Sequence, residues 1–120
     1  AEPDYGGRID HPAELAQLGT WQIEALRAQG ADPLTGRKLQ TLFQESGLTD
    51  IEVGVLGGLW DAEHNNIDIE LEQKILGFDL GKFEIAAAEL NALLEKDAEA
   101  WKAGKRTLFI PTFYALGRKP

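Results

Sequence analysis

Within the C-terminal residues 107–120, TLFIPTFYALGRKP, neither alternating face of residues 108–117 is plainly polar. Strands that are covered by layers above and below have such near-continuous apolar runs, so the pattern predicts a strand buried on both faces. Pro111 lacks the N–H donor that a central ladder requires, and we expect a bulge or local break there rather than the loss of the strand.

A second strand is predicted at residues 51–56, where Ile51, Val53 and Val55 alternate with Glu52 and Gly54. It is the one segment that looks able to pair with the C-terminal strand. An isolated strand pair is marginal in water, so we expect the sheet to continue outside this sequence.

The first helix is predicted to start at Asp10 as N-cap, with Pro12 in its first turn, and to end at Gly30. Its apolar stripe is predicted to be Leu15, Gly19, Ile23 and Leu26.

The second helix has Asp32 as its N-cap, Pro33 at its first position and Gly47 just past its end. Its buried face is predicted to be Leu39, Leu42 and Phe43, and its solvated side chains Arg37, Lys38, Gln40 and Gln44.

Two further helices follow the second strand. Residues 68–77 favour a short helix because they are rich in Glu, Gln and Lys. The last helix is predicted to end at Gly104. Its apolar residues recur at steps of three and four: Phe83, Ala87, Leu90, Leu94, Ala98 and Trp101.

Composition limits the class of protein. The 120 residues are 43% hydrophobic, which is typical of one globular domain. A formal net charge of -8 argues against nucleic-acid binding, and no apolar run is long enough to span a membrane. The absence of cysteine excludes disulfides and thiolate metal sites, and we expect a cytoplasmic location.

The order of these segments resembles the C-terminal half of a class I S-adenosylmethionine-dependent methyltransferase. The resemblance rests on AEPDYGG at 1–7, on GRKLQTLFQESGLTDIEVGVLGGLW at 36–60 and on the closing TLFIPTFYALGRKP. The junction SGLTDIEV and the ending FYALGRKP match best. Residues 2–4 look like the acidic end of the family's fifth strand, and residues 36–56 like its next helix and sixth strand. Residues 108–118 look like the antiparallel seventh strand, which lies between the fifth and the sixth.

The resemblance implies a single α/β domain with a partial Rossmann-like methyltransferase fold. About four helices would pack on an antiparallel pair of long strands, the equivalents of the sixth and seventh strands. The implied segments are a strand end at 1–7, a helical insert at 8–35, a helix–strand unit at 36–60, a second helical insert at 61–104 and the C-terminal strand at 105–120.

The family's cofactor site is missing from the sequence. Gly54, Gly57 and Gly58 do not form the glycine-rich loop that follows the family's first strand, and the acidic residue that ends its second strand is also absent. The intact parent would use S-adenosylmethionine, whereas this chain alone is expected to bind no cofactor and to be inactive.

The family takes its acceptor pocket from the insert after the fifth strand and from the loop after the sixth. The resemblance therefore implies two regions for a small-molecule acceptor, and it fixes no residue individually. The candidates for substrate binding are Asp4, Tyr5 and Arg8 in the first region, and Trp60, His64 and Asn65 in the second. No catalytic residue or metal ligand is assigned.

Simpler interpretations stand beside these. A lone His64 in a polar loop is by default solvated, although it could act as a base or ligand. Trp60 is more often a packing residue, whereas Tyr5 sits in a glycine-flanked turn with little core to join. Without the parent, Glu2 and Asp4 are expected to form a frayed terminus. The acids Asp68, Glu70 and Glu72 are expected to be one solvated face.

Two other functions remain open. The chain could be a stand-alone, non-catalytic binding or interaction module, or it could be the partner subunit of a methyltransferase split between two chains. In each methyltransferase interpretation, exposed strand edges predict self-association as a dimer, including one with swapped strands, or association with the missing N-terminal half.

Overall fold

The computed structural model describes residues 1–57, 66–81 and 84–120. Within them the fold is mixed α/β, with four α-helices and two small antiparallel sheets. The strands are β1 (Glu2–Pro3), β2 (Ile9–His11), β3 (Thr49–Leu56), β4 (Thr107–Phe109) and β5 (Thr112–Arg118). The helices are α1 (Ala16–Ala28), α2 (Leu39–Glu45), α3 (Asn66–Leu80) and α4 (Ala87–Lys102).

The larger sheet has the strand order β1–β5–β3, so the C-terminal strand lies in the centre. β5 is antiparallel to both neighbours, and Phe113 lies opposite Glu2 on one side and opposite Val55 on the other. The predicted antiparallel pair of long strands is therefore confirmed. Because β1 and β3 both run antiparallel to β5, they are parallel to each other.

The C-terminal run is interrupted at Ile110 and Pro111, as predicted from the missing proline donor. β4, before the break, pairs with β2 in a separate two-stranded sheet. β5, after the break, enters the larger sheet. The Pro111 carbonyl accepts a hydrogen bond from the Asp4 N–H at 2.8 Å. This bond satisfies a backbone acceptor in the segment between the two sheets.

The prediction that this strand is buried on both faces is wrong. One face of the larger sheet carries Phe113 and packs against the start of α2. On the opposite face Leu116 is 61% exposed and Leu56 is 49% exposed. Among the described residues, no helix covers this second face closely enough to bury them.

α1 ends at Ala28 with Gln29 as its C-cap, and Gly30 has a φ of 79°, in agreement with the predicted glycine stop. Asp10 is not its N-cap, because Asp10 lies within β2 and a 3-10 turn at Ala13–Leu15 precedes the helix. The buried face of this segment is Leu15, Leu18, Gly19, Gln22 and Ala25. The predicted stripe was therefore wrong at Ile23 and Leu26, which are only partly buried.

α2 is shorter than predicted, since residues 36–38 form a 3-10 turn before it. The Asp32 carboxylate accepts hydrogen bonds from the Leu34 N–H and from Lys38, and the bond from Lys38 is the main cause of its lowered pKa. Leu42 is 44% exposed, so its predicted burial is wrong. The short helix turns only Leu39 and part of Phe43 inward.

The core lies between the other helices. α3 confirms the helix predicted at 68–77 and is longer, and Gly104, with a φ of 67°, follows α4 as predicted. The buried core is Leu15, Leu18, Ala25, Leu76, Leu80 and Ala100. In α4 the inward residues are Leu90, Leu93, Asp97 and Ala100, whereas Leu94 is 37% exposed and Ala98 is exposed, contrary to the prediction. The predicted Phe83 lies outside the described residues.

Gly36 is where the N-terminal strand meets the start of α2. A Cβ at this position would lie 2.6 Å from the Glu2 carbonyl oxygen and 3.0 Å from the Pro3 carbonyl carbon. These are backbone atoms, so the substitution Gly36→Ala would force β1 and α2 apart. We expect it to lower the free energy of unfolding by about 1–3 kcal/mol, measured by urea denaturation.

Gly77→Ala in α3 is the matched control, because nothing lies within 4 Å of a Cβ there. We expect it to be neutral or to stabilise the fold by up to about 1 kcal/mol. Equal effects of the two substitutions would contradict the close packing of β1 on α2.

Candidate functional site

Asp4 follows β1 directly and holds the next turn. Its Oδ1 accepts a hydrogen bond from the Gly6 N–H at 2.9 Å and thereby caps the 3-10 turn Tyr5–Gly7. Asp4 is only 3% exposed. The expectation of a frayed terminus is therefore wrong for Asp4, because its carboxylate and its backbone N–H are both satisfied within the fold.

Arg37, from the turn before α2, neutralises this carboxylate. Its Nε donates to Asp4 Oδ2 at 2.5 Å and its Nη2 donates to Asp4 Oδ1 at 2.9 Å. The hydrogen bonds and the charge of Asp4 raise the pKa of Arg37. The bidentate pair joins residues 33 positions apart, so it fixes the loop after β1 against α2. The sequence had suggested only that Arg37 is solvated, and its side chain is 49% exposed.

Tyr5 begins the capped turn. Its backbone N–H donates to the Pro33 carbonyl at 3.0 Å, which ties the turn to the segment before α2 a second time. Tyr5 is half-buried. The structure thus brings Asp4 and Tyr5 together with Arg37, and the adjoining cavity of about 90 Å³ is lined by Gly36, Arg37, Leu39, Gln40, Val53, Phe113 and Tyr114.

Arg8, the third candidate of this region, points into a different environment. Its side chain is 5% exposed, and its Nε and Nη2 donate to the two Asp10 oxygens at 2.8 and 3.1 Å. Its Nη1 donates to the Gln22 side-chain oxygen at 3.3 Å. With all three guanidinium nitrogens engaged inside the fold, Arg8 orders β2 against α1.

Arg106 completes this buried ionic network. It lies just before β4, is 1% exposed in its side chain, and donates to Asp10 Oδ1 at 2.7 Å and to Asp97 Oδ1 at 2.8 Å. Its Nη1 donates to the Thr107 carbonyl at 2.7 Å, and the guanidinium lies 5.9 Å from the Trp101 ring centre. Asp10 therefore accepts from two arginines, a geometry that compensates its burial.

The network reaches α3 through Gln22. Its amide nitrogen donates to Asp79 Oδ2 at 2.8 Å, and Gln22 is fully buried. Gln73 of α3 also donates to Asp97 at 3.2 Å. Sequence reasoning missed Gln22, Asp79 and Asp97, because it selected the apolar residues of each helix. The available signal was their helical spacing from apolar core residues, such as Gln22 between Leu18 and Ala25.

A second polar pair lies on the exposed face of the larger sheet. Tyr114 packs its ring over Gly54, and its hydroxyl donates to Glu52 Oε1 at 3.1 Å. The hydrogen bond to Glu52 is the main cause of the raised pKa of Tyr114. An open groove of about 430 Å³ beside this pair is lined by Asp50, Glu52, Leu116, Gly117 and Arg118.

The candidates of the second region, Trp60, His64 and Asn65, lie outside the described residues. Glu70 is exposed, as predicted for the acidic face, while the side chains of Asp68 and Glu72 lie outside the description. Within the described ranges, no group of three or more His, Cys, Asp or Glu side chains could hold a metal ion. In the same ranges, every helix is too short or too polar to cross a membrane.

Neither the scan against protein-family models nor the search of curated proteins gives a match to this chain. The candidate site is therefore defined by its geometry alone: the buried carboxylate of Asp4 follows β1 directly and is neutralised by the half-exposed Arg37.

The network predicts a large effect of removing Arg106. Arg106→Ala leaves the buried carboxylates of Asp10 and Asp97 without their shared cation, so we expect a loss of about 3–5 kcal/mol in the free energy of unfolding. Chemical denaturation followed by circular dichroism measures this loss.

The control is Lys96→Ala, which breaks the pair between Lys96 and Glu14, two side chains that are about half exposed. This pair should contribute less than about 1 kcal/mol. Equal losses would contradict the burial of this network, since leaving a buried charge unpaired costs far more than breaking an exposed pair.

Proposed function

We propose that this chain forms the C-terminal half of a class I S-adenosylmethionine-dependent methyltransferase domain that acts on a small-molecule acceptor. The observation that supports the proposal most is the strand order β1–β5–β3, with β5 antiparallel to both neighbours. The resemblance implies this arrangement for the fifth, seventh and sixth strands. A helical segment lies between β1 and β3, as expected for parallel strands that need a crossover.

The direction of the strands supports an acceptor side at one edge of the larger sheet. β1 and β3 are parallel, so their carboxyl ends meet on the same side. Asp4 and Tyr5 follow the end of β1, and the segment with Trp60, His64 and Asn65 follows the end of β3 in the sequence. Ligands of open α/β sheets bind outside the carboxyl ends of the strands. This edge is our candidate for the acceptor side of the intact domain.

The roles of the candidate residues differ in this proposal. Tyr5, in the capped turn, is positioned to line the acceptor pocket, and Asp4 with Arg37 holds that turn in place. Arg8 is engaged by Asp10 and Gln22 through all three guanidinium nitrogens and its side chain is 5% exposed, so it orders β2 against α1 and is not assigned to the acceptor pocket. Methyl transfer needs mainly an acceptor held in line with the methyl group, and a rigid turn meets that need.

S-adenosylmethionine would be bound by the glycine-rich half of the domain, which this chain does not contain. One face of the larger sheet is exposed in this chain, as we expect if the other half of the domain is needed to cover it. The Cα radius of gyration is 16.1 Å, whereas a compact domain of this length has about 14 Å. These observations are expected both when the remaining strands belong to the same polypeptide and when, as in a split enzyme, a second chain supplies them. The cytoplasm, with its supply of this cofactor, would be the location.

A mixing experiment tests the proposal. We expect calorimetry of the chain with S-adenosylmethionine to show no heat of binding. Mixed with a polypeptide that carries the family's glycine-rich loop and first four strands, the chain should restore both cofactor binding and methyl transfer from labelled S-adenosylmethionine to small-molecule acceptors.

The matched variants are Arg37→Ala and Lys38→Ala in the mixed assembly. Arg37→Ala should reduce the methyl-transfer rate by roughly tenfold or more, because misplacing a positioning group by about 1 Å has large effects. Lys38→Ala, which breaks only an exposed pair, should leave the rate unchanged. Cofactor binding by the chain alone, or an inactive mixture, would contradict the proposal.

A further inference from the structure

The outer edge of β3 is the longest strand edge that the described residues leave without a partner. β3 has eight residues and lies at one end of the larger sheet, with β5 on its inner side only. The other outer strand, β1, has two residues, and β2 and β4 of the second sheet have three each. A strand edge presents N–H and C=O groups that another strand can pair with.

Among the described residues, the features that block this edge lie in its first part. The ladder with β5 is irregular between Thr49 and Glu52, and Asp50 there has a φ of 50° and a side chain that is 73% exposed. Irregularities and charged residues are the usual means by which proteins protect a strand edge. From Glu52 to Leu56 the ladder is regular, and this part contains no proline, lysine or bulge.

The unblocked part complements a second copy of itself. If two copies of residues 52–56 pair in antiparallel orientation about Gly54, Val53 of each copy lies opposite Val55 of the other, and Glu52 lies opposite Leu56. Val53 is 41% exposed and Val55 is 48% exposed, and both lie on the same face of the strand. Directly opposed β-branched side chains stabilise antiparallel strands.

Charge favours pairing about Gly54 over pairing about position 52. Pairing about position 52 would place the two Glu52 carboxylates directly opposite each other, which destabilises a strand pair. Pairing about Gly54 instead puts each Glu52 beside an apolar side chain. Each Glu52 also accepts the hydroxyl of Tyr114 in its own copy, so it stays satisfied there. The charge pattern therefore disfavours pairing about position 52 and is compatible with a second copy paired about Gly54.

We propose that two copies of this chain associate through residues 52–56 of β3, in antiparallel register about Gly54, to form one continuous six-stranded sheet. The proposal does not depend on the methyltransferase assignment, because β3 is the outer strand of the observed sheet in either case. Each copy carries a formal charge of -8, so the two copies repel at low ionic strength. Added salt should therefore tighten the dimer.

Two double variants with the same positions changed provide the test. In Val53→Lys/Val55→Lys, both pairs between positions 53 and 55 of the proposed register are lysine against lysine. In Val53→Lys/Val55→Glu, both of these pairs are lysine against glutamate. Sedimentation equilibrium of the full chain at about 0.15 M salt should show a dimer for the parent and for the lysine–glutamate variant. It should show the dimer weakened about tenfold or more for the lysine–lysine variant.

Leu116→Lys adds a charge on the other face of β5 and should leave the dimer unchanged. Circular dichroism establishes that each variant is folded, and if the lysine–lysine variant unfolds, mixing it with Val53→Glu/Val55→Glu should restore folded heterodimers. A monomeric parent at about millimolar concentration would overturn the proposal. So would a dimer that the lysine–lysine variant leaves intact, or a lysine–glutamate variant weakened as much as the lysine–lysine variant.

Discussion

The central position of β5 is the constraint on which the rest of the structure depends. A single proline-containing run supplies one strand to each of two sheets, because Pro111 cannot donate to a ladder and the chain changes partners there. β5 then holds β1 and β3, which are far apart in the sequence, on its two sides. This pairing brings the turn after β1 to the same edge as the end of β3, the edge that we propose as the acceptor side.

The buried ionic network fixes the second sheet against the helices. Asp10 of β2 accepts from Arg8 and Arg106, and Arg106 also pairs with Asp97 of α4. Pairs of this kind contribute little net stability relative to an apolar core, but they tolerate only one arrangement of the groups, since each unpaired charge is costly. The network thus specifies the placement of β2 and β4, whereas the apolar cluster between α1, α3 and α4 supplies most of the hydrophobic stabilisation.

Local sequence patterns predicted where helices and strands form better than they predicted which residues are buried and what those residues contact. Alternation identified β3 and β5, and the missing donor of Pro111 predicted the break. The local sequence could not predict that Asp10 lies in β2. Its partner Arg8 is 2 residues away, but its partner Arg106 is 96 residues away and is brought to it by the tertiary fold. Leu42 and Leu116 have the character of core residues, yet they are exposed, since burial depends on which layers cover them. For the same reason the sequence indicated Asp4 as a site residue without indicating its pairing with Arg37.

Cross-strand nuclear Overhauser effects from Phe113 test the central claim most directly. In isotope-labelled protein, the backbone protons of Phe113 should show contacts both with Glu2 and with Val55, since Phe113 lies opposite each of them. Contacts with both residues would establish β5 as the middle strand. Contacts with Val55 alone would make β5 an edge strand, and they would contradict the sheet order on which the proposed function depends.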